Sequence, residues 1–275
     1  MARLLTGLLG AAGGAVAAAA GTRALRRYPP GGAARWTRTN HAGRPISLLE
    51  GPGYVVGSAA GALAAAVVAG EARDAGPALL ATTGAGLAGL LDDLAGDSSS
   101  KGLKGHLGAL RRGQVTTGAI KIGAIGVTGL AAAALEDRRA DRDLGLSTLL
   151  GAGVIAGSAN IGNLLDLRPG RAGKTTVLAG ILPALRGEPA AAGAVGAALG
   201  VLPGDLAGAT MLGDTGANAA GALIGSALVA RTGVVGRFLT LALLAGLTLA
   251  SERISFTAVI ESTPGLRELD AWGRG

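Results

Sequence analysis

Long apolar stretches alternate with short polar segments along the whole chain. Stretches rich in Ala, Leu, Val and Gly are candidate membrane spans at roughly 4–21, 48–70, 75–92, 116–135, 144–165, 175–186, 190–207, 218–231 and 237–251. About 20 helical residues cross a hydrocarbon core of about 30 Å, and the sixth and eighth stretches are short for this. Continuous apolar blocks favour helices over the short alternating strands of a barrel. The pattern predicts an all-α, polytopic transmembrane bundle of about nine spans.

Composition supports this class. Charged residues make up 16% of the chain and apolar residues 49%, whereas a soluble domain carries about 25% charged residues. The 50 glycines suit helices that approach closely in lipid. The chain has no cysteine, which excludes disulfides and thiolate metal sites. The first stretch, after Arg3, has a signal peptide as its alternative interpretation.

The basic residues in the loops predict an orientation. Segments 22–47, 92–115, 166–174 and 208–217, together with the residues from 252 onward, carry 16 Lys and Arg, and the loops between them carry seven. The positive-inside rule then places the N-terminus outside and the C-terminus in the cytoplasm. The net charge of +7 is therefore assigned to topology and not to nucleic acid. We divide the chain into a membrane domain, 1–251, and a cytoplasmic tail with a short amphipathic helix, 252–275.

Two adjacent carboxylates end the third span. Asp92 and Asp93 stand in LLDDLAGD, where two charges at the membrane edge are costly unless something compensates them. Hard oxygen ligands suit Mg²⁺, so a divalent cation is one candidate. A solvated helix end is the plainer interpretation.

Polar residues also mark the inner end of the fifth span. Asn160, Asn163 and Asp166 recur at i, i+3 and i+6, which places them near one stripe of a helix. Polar residues within a span usually face the bundle interior. They are candidates for binding a ligand, and interhelical hydrogen bonding is the alternative.

A glycine-flanked aspartate follows the seventh span. Asp214 lies in MLGDTGAN, residues 211–218, and glycines let backbone come close to a ligand. The next helix N-terminus can hold an anion. A plain turn with an N-cap explains the same residues without a ligand.

Basic residues follow the aspartate pair. Lys101, Lys104, Arg111 and Arg112 could hold phosphates near an acidic metal site, or serve topology and lipid binding. Lys121 lies inside an apolar span, where it either joins the site or snorkels. GRAGKTT, residues 170–176, mimics the end of a P-loop. We reject that motif because Arg168 stands where the first glycine is required and no strand precedes it.

In type, order and topology, these motifs resemble the polyprenyl-phosphate N-acetylhexosamine-1-phosphate transferases, the family that includes the phospho-N-acetylmuramoyl-pentapeptide transferase. The resemblance covers most of residues 35–225. It consists of a basic first loop, an Asp-Asp pair, an Asn-x-x-Asp motif and a Gly-Asp-x-Gly motif, each after the matching span.

The resemblance implies roles residue by residue. Asp92 and Asp93 match the paired catalytic aspartates, and Asp214 resembles the Mg²⁺-binding aspartate. Binding roles are implied for Asn160, Asn163, Asp166, Lys121 and Arg44. The implied reaction transfers a sugar-1-phosphate from a nucleoside-diphosphate sugar, such as a UDP-sugar, to polyprenyl phosphate. The implied place is the cytoplasmic face of a bacterial inner membrane, and homodimers occur in this family.

The chain also departs from the family pattern. Leu167 to Gly170 replace the usual Gly-x-Asp-Gly, so a second pocket aspartate is missing, and Thr210-Met211-Leu212 lacks the aromatic that would stack on uracil. A histidine-rich motif in the fifth loop is absent as well. The alternatives are a non-catalytic relative that binds lipid phosphate or acts as a scaffold, and a small-solute transporter.

Overall fold

Helices account for nearly all of the fold. The computed structural model describes residues 1–40, 43–95, 105, 108, 109 and 111–274. Within them lie eleven α-helices: α1 Ala2–Arg27, α2 Glu50–Val68, α3 Gly76–Ala95, α4 Thr117–Arg139, α5 Leu146–Leu165, α6 Arg171–Leu185, α7 Pro189–Leu206, α8 Gly213–Arg231, α9 Val234–Ser251, α10 Phe256–Ser262 and α11 Leu266–Ala271. The prediction of an all-α bundle is confirmed.

Each predicted span overlaps one of the first nine helices. Among the described residues, seven helices (α1 to α5, α7 and α9) are long and apolar enough to cross a membrane. The molecule is therefore a multi-pass helical membrane protein. The two shortest predicted spans correspond to α6, which has only 15 residues, and to α8, which is longer but less apolar. A count of nine spans stays a prediction.

Helix α8 forms the centre of the bundle. It packs against α2, α3, α5, α6 and α7, and most of its residues are buried. The surrounding core consists mainly of alanine, which lets the helix axes come close together. Because α8 faces protein on all sides and not lipid, it does not need a strongly apolar surface.

The first polar loop is more ordered than the sequence suggests. The Pro and Gly residues of segment 28–35, YPPGGAAR, predict a flexible loop, but Ala33–Trp36 is a 3₁₀ helix. Two short antiparallel strands follow, β1 Thr37–Thr39 and β2 Pro45–Ser47. Buried Trp36 packs with Leu48 and Leu49 and donates a hydrogen bond to the carbonyl of Pro30 at 2.7 Å. This small core, which the periodicity of the spans does not reveal, fixes the hairpin on the bundle.

We call the end of the bundle that carries this hairpin the hairpin end, and the opposite end the far end. At the far end, Asp137 on α4 and Arg237 on α9 form a fully buried ion pair, with N···O distances of 2.7 and 3.0 Å. Thr148 donates to the same carboxylate at 2.8 Å. This pair fixes α4, α5 and α9 relative to one another.

Candidate functional site

Three side chains with ionisable groups, from three helices, meet at the hairpin end. The Lys121 ammonium on α4 lies 2.7 Å from a carboxylate oxygen of Asp92 on α3. It also contacts the carboxylate of Asp214 on α8. The three side chains are only 15%, 19% and 25% exposed for Lys121, Asp92 and Asp214. The sequence predicted each of them as a site residue, and the structure brings them to one point.

Asp93 differs from its neighbour Asp92 in what it contacts. Its two oxygens accept hydrogen bonds from the backbone N–H groups of Asp214 and Thr215 at 3.0 and 2.9 Å, and from the Thr215 hydroxyl at 2.6 Å. These N–H groups lie in the first turn of α8 and have no partner within the helix, so a carboxylate from outside can accept their hydrogen bonds. The helix dipole also favours a negative charge at this end of α8. Asp93 therefore holds the start of α8 in place, and Asp92 is left to face the lysine.

Two glycines make this arrangement sterically feasible. Gly213 begins α8 with φ of +61°, and a Cβ there would lie 3.0 Å from the Asp93 carboxylate. On α3, a Cβ at Gly89 would collide with the carbonyl oxygen of Asp214. Larger residues at either position would push Asp214 away from Asp92, so the glycines set the distance between the two helices.

The hairpin places an arginine side chain next to the cluster. Arg38 on β1 donates to the backbone carbonyl of Asp93. The loop before α8 is joined to the hairpin by a hydrogen bond from the Met211 N–H to the Ser47 carbonyl at 3.0 Å. The hairpin therefore holds both the end of α3 and the approach to α8. Arg38 was not among the predicted site residues, since its proximity depends on how the hairpin folds.

A cavity of about 360 Å³ opens beside the cluster. Lys121 lies on its wall, together with Asn160 and Asn163 on α5, Asn218 on α8 and Thr248 on α9. The rest of the wall is apolar and comes from α4 and α5. Asn160 is held by a 3.0 Å hydrogen bond to Thr248. The cavity thus combines a few hydrogen-bonding groups with an apolar surface, which is typical of ligand sites.

Asn218 is a second residue that the sequence prediction missed. It is 1% exposed, and its Nδ2 has no hydrogen-bond partner among the described residues. An unpaired buried amide is costly, so its presence on the cavity wall points to a bound partner. The signal was available in the sequence, because Asn218 follows Asp214 by one helical turn in an otherwise apolar span.

Asp166 does not share the cavity with the two asparagines. The helix ends at Leu165, and its C-cap residue Asp166 has non-helical backbone angles. Asp166 therefore does not lie on the same helix face as Asn160 and Asn163. Its carboxyl group is buried near Asp205 and Glu50. Burial, and then these two acids, raise the pKa of Asp166 well above its usual range. The expectation of one shared stripe is therefore wrong at this position.

Other predicted residues lie apart from the cluster. Arg44 is exposed at the turn of the hairpin, with its guanidinium near Gly208. No contact described in the structure joins it to Asp92, Lys121 or Asp214. Arg111 and Arg112 are exposed. Lys101 and Lys104 lie outside the described residues.

The cluster is suited to a divalent cation. In the described part of the chain, no three His, Cys, Asp or Glu side chains are placed to hold a metal. Asp92 and Asp214 nevertheless converge on one position, which the Lys121 ammonium fills. Mg²⁺ is commonly held by one or two carboxylates together with substrate phosphates. Two converging carboxylates beside a cavity fit that donor set.

Comparison with known proteins assigns no relative. No protein-family model matches the chain, and no curated protein matches it.

Proposed function

We propose that the protein is a Mg²⁺-dependent sugar-1-phosphate transferase that uses polyprenyl phosphate as acceptor and a UDP-sugar as donor. The observation that carries the proposal is the convergence of Asp92, Lys121 and Asp214 beside the cavity. The motif order of the sequence supplies the reaction class.

The proposed reaction is one phosphoryl transfer. An oxygen of the lipid phosphate attacks the phosphorus next to the sugar, and the bond from that phosphorus to the bridging oxygen breaks. UMP leaves with that oxygen, and the sugar remains linked to the lipid through a diphosphate. Such transfers depend mainly on positioning and on charge stabilisation.

The residues around the cavity have distinct proposed roles. Asp92 orients the lipid phosphate or accepts its proton, and Lys121 binds phosphate oxygens once it leaves its carboxylate partners. Asn163 and Asn218 donate hydrogen bonds to the bound substrates. Mg²⁺ held by Asp214 would neutralise charge on the diphosphate. The apolar wall, which includes Ile122 and Ile125, receives the first isoprene units.

The proposed setting follows from the loop charges. Nine spans with an outside N-terminus put the hairpin end at the cytoplasmic face, where nucleotide sugars occur. A bacterial inner membrane and a role in cell-envelope glycan synthesis are part of this proposal, and a homodimer is its proposed assembly.

A transfer assay on the purified chain tests the proposal. Undecaprenyl phosphate, a panel of UDP-sugars and Mg²⁺ are supplied, and UMP and lipid-linked sugar are measured. We expect product that disappears with EDTA and in the Asp92→Asn and Asp214→Asn variants. Asp143→Asn is the matched control, because this exposed aspartate lies in the far-end loop between α4 and α5. Loss of product in the control as well would show that the effect is not specific to the site.

Two observations favour a second candidate, a non-catalytic protein that binds lipid phosphate. Lys121 already pairs with both carboxylates, and the segment before Asp214 offers no aromatic residue for a nucleobase. This candidate predicts that the folded protein binds polyprenyl phosphate, gives no product with any UDP-sugar, and retains lipid binding in Asp214→Asn.

A further inference from the structure

The carboxy-terminal residues are fastened to the start of α6. Arg171, which is 3% exposed, donates from Nε and Nη2 to the two carboxylate oxygens of Asp270 at 2.8 and 2.9 Å. The Lys174 ammonium donates to the backbone carbonyls of Leu269, Asp270 and Trp272. A paired, bidentate arginine is the strongest form of such a contact. One edge of the tail is therefore bound to α6, and we call these contacts of Arg171 and Lys174 the clamp.

The ion pair between Arg171 and Asp270 favours the ionised form of the carboxyl group. Burial alone would raise the pKa of Asp270, but hydrogen bonds from Arg171 and Arg274 outweigh it and hold the pKa below its usual value. Arg274 also donates to the carbonyl of Pro169 at 2.8 Å. These contacts explain the segment 170–176 that mimics a P-loop, because its Arg and Lys bind the chain's own tail.

The tail also carries exposed apolar side chains, which we call its apolar edge. Its exposed large side chains are Ile254, Val259, Leu266, Leu269 and Trp272, between 42% and 70% exposed. A small cavity of about 100 Å³ is lined jointly by Leu266 and Leu269 and by the span residues Leu165 and Leu178. Leu178 is itself exposed on the outside of α6. The apolar edge of the tail is thus continuous with the lipid-facing surface of the spans.

We propose that residues 254–272 lie in the membrane–water interface at the hairpin end, with their apolar edge among the acyl chains of the adjacent leaflet. The position follows because the tail starts where α9 ends and is clamped where α6 begins. Short amphipathic segments with an aromatic residue commonly bind this way. The inference needs only the membrane character of the chain and does not depend on the proposed transferase.

The charge of the tail indicates which part of the lipid bilayer it contacts. From residue 252 onward the tail has three basic side chains, Arg253, Arg267 and Arg274. It has four acidic ones, Glu252, Glu261, Glu268 and Asp270. This balance gives no attraction to anionic headgroups. Apolar burial among acyl chains must then account for the binding, and the fraction of anionic lipid has little influence on it.

Spin labels on the full chain in nanodiscs test the position of the tail. Since the natural sequence has no cysteine, Trp272→Cys gives a single labelled site. Arg267→Cys gives a comparison site, because Arg267 is 60% exposed and helical spacing places it opposite Leu266 and Leu269. We expect the label at 272 to be more accessible to oxygen than to a water-soluble nickel chelate. The label at 267 should show the reverse order. Both results should be the same in phosphatidylcholine and in mixtures with phosphatidylglycerol.

Three results would overturn the inference. The first is a label at 272 that is as accessible to the nickel chelate as the label at 267. The second is oxygen accessibility at 272 that requires anionic lipid, since that would assign the tail to headgroups. The third comes from the double substitution Leu266→Ser/Leu269→Ser in the protein labelled at 272, which should move the label into water and raise its accessibility to the nickel chelate. An unchanged signal in that variant would show that the clamp alone fixes the tail. As a control for folding, the labelled Trp272→Cys variant should have the same melting temperature as the wild type.

Discussion

The two ends of the bundle hold similar ionised groups in opposite environments. At the far end, Asp137 and Arg237 are both 0% exposed, and the guanidinium also donates to the carbonyls of Ser147 and Val229. At the hairpin end, Lys121 joins two carboxylates that stay partly exposed beside a cavity. The groups of the far-end pair are satisfied by other protein groups, including Arg142 at 3.1 Å from Asp137, and the pair stabilises the fold. The open cluster has room for another molecule, and this difference identifies the candidate site.

Arg237→Met gives the largest expected effect on stability. It leaves the Asp137 carboxylate buried without its main partner, which typically costs about 3–5 kcal/mol. Thermal unfolding in nanodiscs should show a much lower melting temperature for this variant. Lys121→Met should change it far less, because Asp92 and Asp214 remain partly solvated. An equal decrease in melting temperature in the two variants would contradict the proposed difference between the two ends.

Asp93→Ala and Asp92→Ala separate the neighbouring aspartates. Removing Asp93 frees N–H groups at the start of α8, and loss of such a cap costs about 0.5–2 kcal/mol. Asp92→Ala should leave the melting temperature close to that of the wild type. A larger loss of stability in Asp92→Ala would contradict the roles assigned here.

Asn218→Leu should separate stability from binding. Replacing an unpaired buried amide removes a polar group that lacks a partner, so the melting temperature is expected to stay the same or rise. Binding of UDP-sugar or of undecaprenyl phosphate should weaken about tenfold, which corresponds to about 1.4 kcal/mol. Isothermal titration with each compound checks this. Unchanged affinity for both would mean that Asn218 contacts neither substrate.

Glu188 gives a smaller, pH-dependent effect at the far end. Burial, with a contribution from Glu136, raises its pKa from 4.5 to about 7. The folded state then binds more protons than the unfolded state between these values, so stability falls as pH rises from about 4.5 to about 7 and is level above. Glu188→Gln should remove this part of the slope. Melting temperatures from pH 4.5 to 8 for both proteins make the comparison.

Sequence reasoning found the helices and most of the cluster for a clear physical reason. A span in lipid requires about 20 apolar residues, so Asp92, Lys121 and Asp214 stand out as exceptions within or beside such stretches. Residue type and spacing do not reveal which neighbour a side chain meets. The capping role of Asp93, the turn of Asp166 away from the asparagines and the contact of Arg38 all depend on packing between distant segments.

The rate of lipid-linked sugar formation by the wild type, Asp92→Asn and Asp137→Asn tests most directly that the hairpin end is the reactive end. Each variant converts one carboxylate to an amide, one at each end of the bundle. Loss of a group that transfers a proton commonly costs about 10²–10⁴ in rate. We expect such a loss in Asp92→Asn with an unchanged melting temperature. In Asp137→Asn the melting temperature should fall, and the rate per folded molecule should stay near that of the wild type. An Asp92→Asn rate within a few-fold of the wild type would contradict the assignment of the site.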